Sequence, residues 1–337
     1  MYQDQATVAL FLFAAAVITY CGVRTTRIAD RIADQTRLGE AIVGALLLGM
    51  STSLAGTVTS VSAAWDGLAS LAVSNAVGGI AVQTTFLVVA DLTYRRANLE
   101  HAAADAKNLF QASVLVLMLG LALAAYLAPP LAIWSIHPVS LALVAIYLFG
   151  VRTTMRLRLR PMWRPEQTDK TRADVPEEPR GDTRTLMRTG LSFAVLVVVL
   201  GVAGYVIAVT GARISNAFGI SQTVVGVLLT ATATSLPELV TTLAAVRRGA
   251  LQLAVGGIIG GNMFDVLFLS LSDAAYREGS IYHAVPVRDA FMLAGGVVIT
   301  AILLMGLIMR SQRGIGFEGV FILLTYVALV GVQIALG

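Results

Sequence analysis

The sequence predicts an all-α polytopic membrane protein: ten transmembrane helices in two inverted five-helix repeats. Three observations predict it. Apolar runs near the ~20 residues needed to cross a bilayer recur along the whole chain. Charged residues are 13% of the 337 positions, where a soluble domain carries roughly 25%. The chain also matches itself, without gaps, at a fixed offset of 182 residues.

The spans fall at about 6–24, 38–62, 68–91, 109–127, 131–150, 190–210, 222–246, 250–273, 285–309 and 315–336. The first apolar stretch is preceded by Asp4 and by no Lys or Arg. A secretory signal needs a basic leading region, so this stretch reads as a retained span. The single Cys21 has no partner for an internal disulfide and reads as a small packing residue. Between the fifth and sixth spans, the segment from Val151 to Thr189 is rich in charge and proline and poor in aliphatic periodicity. Such a segment cannot bury enough surface to fold alone and reads as a flexible linker. The predicted organisation is therefore a first repeat at 1–150, a charged linker at 151–189 and a second repeat at 190–337.

Ten spans put both termini on one face. With that face outside, 21 of the 24 Lys and Arg residues lie on the inner side, and only Arg213, Arg277 and Arg288 lie outside. This split is what the positive-inside rule expects. It points to an inner (plasma) membrane protein with a cytoplasmic linker and extracytoplasmic termini. It also accounts for "RLRLR" (156–160) without nucleic acid, so the expected partners are inorganic cations and the lipid bilayer, with no protein partner implied.

At the 182-residue offset, residues 50–86 lie over 232–268. Thr52 falls on Thr234, Ser53 on Ser235, Leu54 on Leu236 and Thr59 on Thr241, while Gly78 and Gly79 fall on Gly260 and Gly261. Five spans is an odd number, so the second copy enters the membrane from the opposite side. Inverted repeats of this kind are typical of secondary transporters, whose sites lie near the midplane where interrupted helices meet.

The second copy carries acidic chemistry where a bilayer penalises it. In "TATSLPELVTTL" (232–243), Thr234 and Ser235 stand four and three residues before Glu238, on or near one helical face. Pro237 has no N–H, so the carbonyl of Ala233 loses its helical partner. In "GGNMFD" (260–265), Asn262 and Asp265 share a face, and the short "RRG" connection (247–249) makes the two helices an antiparallel hairpin. Glu238 and Asp265 are thereby expected to face each other. An acid at the centre of a span costs roughly 2.5–3.5 kcal/mol on insertion scales, so two in adjacent helices mark function. Carboxylate, hydroxyl and carbonyl oxygens are hard ligands, suited to Na⁺ or Ca²⁺. For Asn262 a helix-to-helix hydrogen bond is an alternative to ligation, and Thr241 and Thr242 read as packing hydroxyls.

The stretch "ATSLPELVTTLAA…AVGGIIGGNMFDVLF" resembles the second α-repeat of the cation/Ca²⁺ exchanger superfamily, which includes Na⁺/Ca²⁺ and H⁺/Ca²⁺ exchangers. The resemblance extends over nearly the whole chain and implies a Na⁺/Ca²⁺ exchanger-like fold. It also implies that Glu238 is a shared Ca²⁺/Na⁺ ligand, with Thr234, Ser235 and Asp265 beside it. The sequence departs from that pattern in several places. Gly261 stands where the family has a serine, and the first copy reads "TSLAG", with Ala55 and Gly56 over Pro237 and Glu238. Gln83 stands over Asp265. The site is thus expected to hold two formal negative charges, with Thr52, Ser53 and Gln83 as neutral first-half ligands, and with Ser74 and Asn75 also available.

The expected function is secondary-active cation antiport, Ca²⁺ against Na⁺ or H⁺, by alternating access. A monovalent Na⁺/H⁺-type exchange and a degenerate, non-transporting cation binder are the alternatives. No Ser–His–Asp set, phosphate-binding loop or paired intramembrane aspartate motif is present, so no enzyme activity is expected. No cofactor is implied, since the ions are cargo.

Overall fold

The computed structural model describes residues 2–36, 40–94, 97–159, 166, 168, 171, 183–311 and 315–336. The order is α1 (Tyr2–Thr36), α2 (Glu40–Trp65), α3 (Ala69–Tyr94), α4 (Leu99–Ala102), α5 (Ala106–Leu127) and α6 (Pro138–Leu159). The second half follows with α7 (Thr183–Phe218), α8 (Gln222–Val224), a π-helical turn (Val225–Thr230), α9 (Ala231–Arg248), α10 (Leu251–Asp265) and α11 (Leu267–Ala275). It closes with α12 (Ile281–Ala284), α13 (Val287–Met309) and α14 (Phe317–Leu336). Among the described residues no strand forms, only an isolated bridge between Ile133 and Ile136.

Nine stretches among the described residues are long and apolar enough to cross a membrane, and they coincide with nine of the ten expected spans. The expected span at 38–62 falls on α2, whose side chains are described only from Ser51 onward. Two boundaries move. The fifth span begins at Pro138 rather than near 131, because a turn at Ile133–Ile136 intervenes and Trp134 and Ser135 take positive φ. The predicted linker is shorter than 151–189, since α6 runs on to Leu159 and α7 starts at Thr183. Most of what lies between is outside the described residues.

Burial sorts the helices by role. The spanning window of α3 is 94% buried and that of α10–α11 is 72% buried, against 33% for α1 and for α7. A helix that is apolar all round and enclosed belongs to the core. The outward faces of α1 and α7 carry Leu12, Phe13, Leu191 and Val198. Small residues set the close approaches, as expected where no hydrophobic effect drives helices together. A Cβ on Gly22 of α1 would lie 2.6 Å from the Pro237 ring, and one on Gly204 of α7 would lie 2.5 Å from the Ala55 carbonyl oxygen. These two contacts are related by the 182-residue offset: 22 maps to 204 and 55 to 237. Each long outer helix therefore braces the site helix of the other half.

The repeat also extends beyond the span expected from sequence. Asp91 at the end of α3 accepts from the Leu99 N–H at 2.7 Å, and Asp273 at the end of α11 accepts from the Ile281 N–H at 2.9 Å. Both residues of each pair differ by 182. A carboxylate thus caps the short helix after the third span in both halves.

Candidate functional site

The site helices are α2 and α3 from the first half and α9 and α10 from the second. Gly249, with φ +81°, ends α9 in a left-handed cap and turns the chain into α10. The result is the antiparallel hairpin that the short connection implied. Pro237 lies inside α9, which continues as α-helix through it. The irregularities flank the acids instead: a π-helical turn over Val225–Thr230, and a break at Val266 directly after Asp265. The expectation of a helix broken at Pro237 is corrected accordingly. Proline removes one N–H but keeps helical dihedrals when its ring has room, and Gly22 supplies that room.

Glu238 is 5% exposed and Asp265 is 1% exposed. Gln83 joins them across the repeat interface. Its Nε2 donates to Asp265 Oδ2 at 2.6 Å and to Ser235 Oγ at 3.1 Å. Gln83 and Asp265 are equivalent residues of the two repeats, so this hydrogen bond lies on the pseudo-two-fold relation itself. Ser53 approaches Asp265, and Thr52 approaches Glu238. The backbone between them is close because glycine permits it: a Cβ on Gly79 would be 3.7 Å from both Asp265 Oδ2 and Ser235 Oγ. A Cβ on Gly261 would be 3.5 Å from Gln83 Oε1.

Several of the oxygens gathered here have no hydrogen-bond partner. Both carboxylate oxygens of Glu238, Oδ1 of Asp265, Oε1 of Gln83 and Oγ of Ser53 are buried without a hydrogen-bond partner. Buried polar atoms without partners are costly and uncommon in native folds, so a cluster of acceptors calls for a positive ligand. Among the described residues no group of three or more His, Cys, Asp or Glu is positioned for a metal. The cluster is instead two carboxylates completed by neutral oxygens, which suits a hard cation.

The other expected residues divide. Thr234 donates back to Thr230 O at 2.9 Å and keeps its oxygen as an acceptor. Asn262 donates to Thr84 Oγ1 at 3.0 Å, the helix-to-helix alternative, while its own carbonyl stays unpartnered. Thr241 bonds to Pro237 O at 2.9 Å as a packing hydroxyl. Ser74 bonds within α3, and the Asn75 amide N–H group ties Ser60 at 2.9 Å to the Gly56 carbonyl at 3.3 Å, while the Asn75 side-chain carbonyl stays unpartnered. Sequence reasoning missed Thr84, the bracing pair Gly22 and Gly204, and Phe268 against Gly56. The offset carried a signal for two of these, since Gly22 falls on Gly204 and Phe86 on Phe268.

A family profile described as "Sodium/calcium exchanger protein" matches residues 6–155 and 189–335. The chain belongs to the sodium/calcium exchanger family. Among proteins related to this exchanger-family chain, a putative antiporter CaxA of Alkalimonas amylolytica is 29% identical over 302 residues, 89% of each sequence. Sodium/calcium exchanger MaX1 of Methanosarcina acetivorans is 36% identical over 115 residues, 33% of this chain and 30% of that protein. The solved sodium-calcium exchanger NCX_Mj, soaked with Na⁺ and no Ca²⁺, superposes with a TM-score of 0.64 at 18% identity, covering 97% of this chain and 99% of that one. Native YfkE superposes with a TM-score of 0.65 at 12% identity, covering 98% and 92%. The structural likenesses establish the fold: an all-α membrane protein of two inverted repeats.

Proposed function

We propose that this chain is a secondary-active antiporter that exchanges Ca²⁺ for Na⁺ or H⁺ by alternating access at the Glu238–Asp265 site. The observation that carries the reading is the set of buried acceptor oxygens without donors on Glu238, Asp265, Gln83 and Ser53. Two carboxylates match the charge of one Ca²⁺, and neutral oxygens fill out the coordination number that this ion takes from a protein. Thr52, Ser235 and Thr234 border the same oxygens and complete the ligand set, with Asn262 at its edge. Two relatives support the same class, the putative antiporter CaxA and the sodium/calcium exchanger MaX1. No cofactor takes part, because the ions are carried rather than used.

The reading assigns the five-helix halves to 1–150 and 190–337, with the segment between them in the cytoplasm and both termini outside. The bias of Lys and Arg toward one set of loops supports this orientation. A second reading, monovalent Na⁺/H⁺-type exchange, is favoured by Gly56, which leaves the first repeat without the equivalent of Glu238.

The test is radiolabelled Ca²⁺ uptake into proteoliposomes against outward Na⁺ and, separately, outward H⁺ gradients, beside a Glu238→Gln control. Gradient-driven uptake that vanishes in the control is the expected result and names the counter-ion. Uptake absent under both gradients, in tight and correctly loaded vesicles, overturns the Ca²⁺ reading and leaves monovalent exchange and a non-transporting cation binder.

A further inference from the structure

The two repeats carry phenylalanine at equivalent positions, Phe86 and Phe268, and the position equivalent to Glu238 is Gly56, which lies against Phe268. At Gly56 the outcome is steric. A Cβ built there would lie 2.8 Å from Phe268 Cε2 and 3.2 Å from its Cζ. Contacts under about 3 Å are forbidden to carbon atoms, so any side chain at 56 requires the ring to move. The ring is not free to do so. Phe268 is 3% exposed and packs edge-on against Phe264, centroids 6.1 Å apart, and Phe264 packs edge-on against Tyr147 at 5.8 Å. The same Cβ would be 3.5 Å from Thr234 Oγ1, one turn before Glu238, so a side chain at 56 would enter the oxygen cluster.

We infer that Phe268 is a specificity-determining residue of the ion site: its ring fills the place opposite Glu238 and holds the site at two carboxylates. The inference rests on the cation-site reading above and adds a cause to it. Loss of the first-repeat acid is not a vacancy that water or a second cation fills. Hydrocarbon occupies it, buttressed by an aromatic ladder, and the cation is confined to the oxygens of Glu238, Asp265, Gln83 and Ser53. A site so limited neutralises one divalent or two monovalent charges and has no ligand for a further one.

The decisive experiment is a binding cycle in the full-length protein in nanodiscs, with radiolabelled Ca²⁺ at equilibrium as the probe. It compares wild type, Gly56→Glu, Phe268→Ala and Phe268→Ala/Gly56→Glu. A third carboxylate within a few ångströms of a buried divalent ion is expected to tighten binding at least about tenfold, provided it fits. The gain is expected in the double variant alone. Gly56→Glu by itself is expected either to bind no more tightly than wild type or to aggregate while the double variant stays monodisperse. Either behaviour supports the steric role. Equal tightening in Gly56→Glu and the double variant would overturn it, because the ring would then yield. A double variant no tighter than Phe268→Ala would overturn it too, because position 56 would then not face the ion. Failure of the transport reading shows separately, as a wild type that binds Ca²⁺ but moves none under either gradient.

Discussion

Gly22 in the first half rests on Pro237 of the second, and Gly204 in the second half rests on Ala55 of the first. Asp91 caps one short helix, and Asp273 caps its counterpart. At these framework positions the two halves correspond. One residue from Pro237 and eight from Asp273 the correspondence ends: Glu238 answers to Gly56 and Asp265 to Gln83. The comparison separates two demands on one repeat. Backbone approach and helix capping occur once in each half, whereas the buried carboxylates Glu238 and Asp265 both come from the second half. Inverted repeats permit this division because both copies converge on a single site.

The sharpest way to break the comparison is to exchange chemistry across the dyad. Asp265→Asn removes charge and leaves an amide facing the Gln83 amide, whereas Gln83→Asn shortens a neutral ligand. We expect gradient-driven cation exchange to fall at least about a hundredfold in Asp265→Asn, equivalent to ~3 kcal/mol, and several-fold less in Gln83→Asn. Proteoliposome flux measured on both variants checks this. Equal losses would mean that the pair acts as a hydrogen-bonded strut and that Asp265 is no ligand.

The two caps come next in size. Asp273 accepts from the His137 N–H and the Ser140 hydroxyl, both at 2.7 Å, as well as from Ile281. Among the described residues Asp91 accepts from Leu99 alone. Removing an acceptor strands its buried donors at about 1–3 kcal/mol each when they find no other partner. Asp273→Ala is therefore expected to lower stability by about 3 kcal/mol or more, and Asp91→Ala by about half as much. Thermal unfolding of the detergent-solubilised variants measures the order, and a reversed order would deny that the Asp273 cap is the more heavily bonded.

How far this was legible beforehand depends on the kind of residue. The ten spans, the inversion and the acids Glu238 and Asp265 follow from hydropathy, offset and charge, because a bilayer makes a buried carboxylate conspicuous. Gln83 was legible only because it stands over Asp265. Proline marks a missing N–H, but α9 continues through it, and the helical hydrogen-bond pattern changes instead at the neighbouring π-helical turn and at Val266. Phe268 was illegible, because a phenylalanine in an apolar run carries no polarity signal and its importance lies in what the ring touches. The caps were half legible. Asp91 read as an acid near a span end, but its bond to Leu99, eight residues on, depends on how the chain folds back.

A smaller effect sharpens the framework half of the comparison. Gly22→Ala places a methyl against the ring of Pro237, whereas Gly204→Ala places one against the Ala55 backbone. A ring can pucker away, but a carbonyl already fixed in a helix, and accepting from Thr59 Oγ1 at 2.8 Å, cannot. Overpacking costs roughly 1–3 kcal/mol, with Gly204→Ala expected at the upper end and Gly22→Ala at the lower. Melting temperatures of the two variants compare them directly, and identical losses would mean that both helices shift as rigid bodies.

A pH-dependent effect separates the short helices that follow the caps. Position 100 in α4 is Glu100 and its counterpart in α12 is Tyr282. Burial, then the charges of Asp91 and Glu318, push the Glu100 carboxyl up from 4.5 to about 8. Burial likewise pushes the Tyr282 phenol up, so that position stays neutral over the working range. An acid whose folded-state value is raised favours the folded state fully below its unfolded value and loses that advantage as pH rises through the folded one. The window for Glu100 is therefore about pH 4.5 to about pH 8, with stability falling upward through it. Beside the Asp273 cap, burial pushes the His137 imidazole down, despite the opposing pull of Asp273, so its contribution is lost on acidification instead. The variant Glu100→Gln is thus expected to match wild type near the low end of that window and to exceed it in melting temperature near the upper end. A difference that stayed constant with pH would mean that Glu100 is charged throughout, with a basic partner holding it.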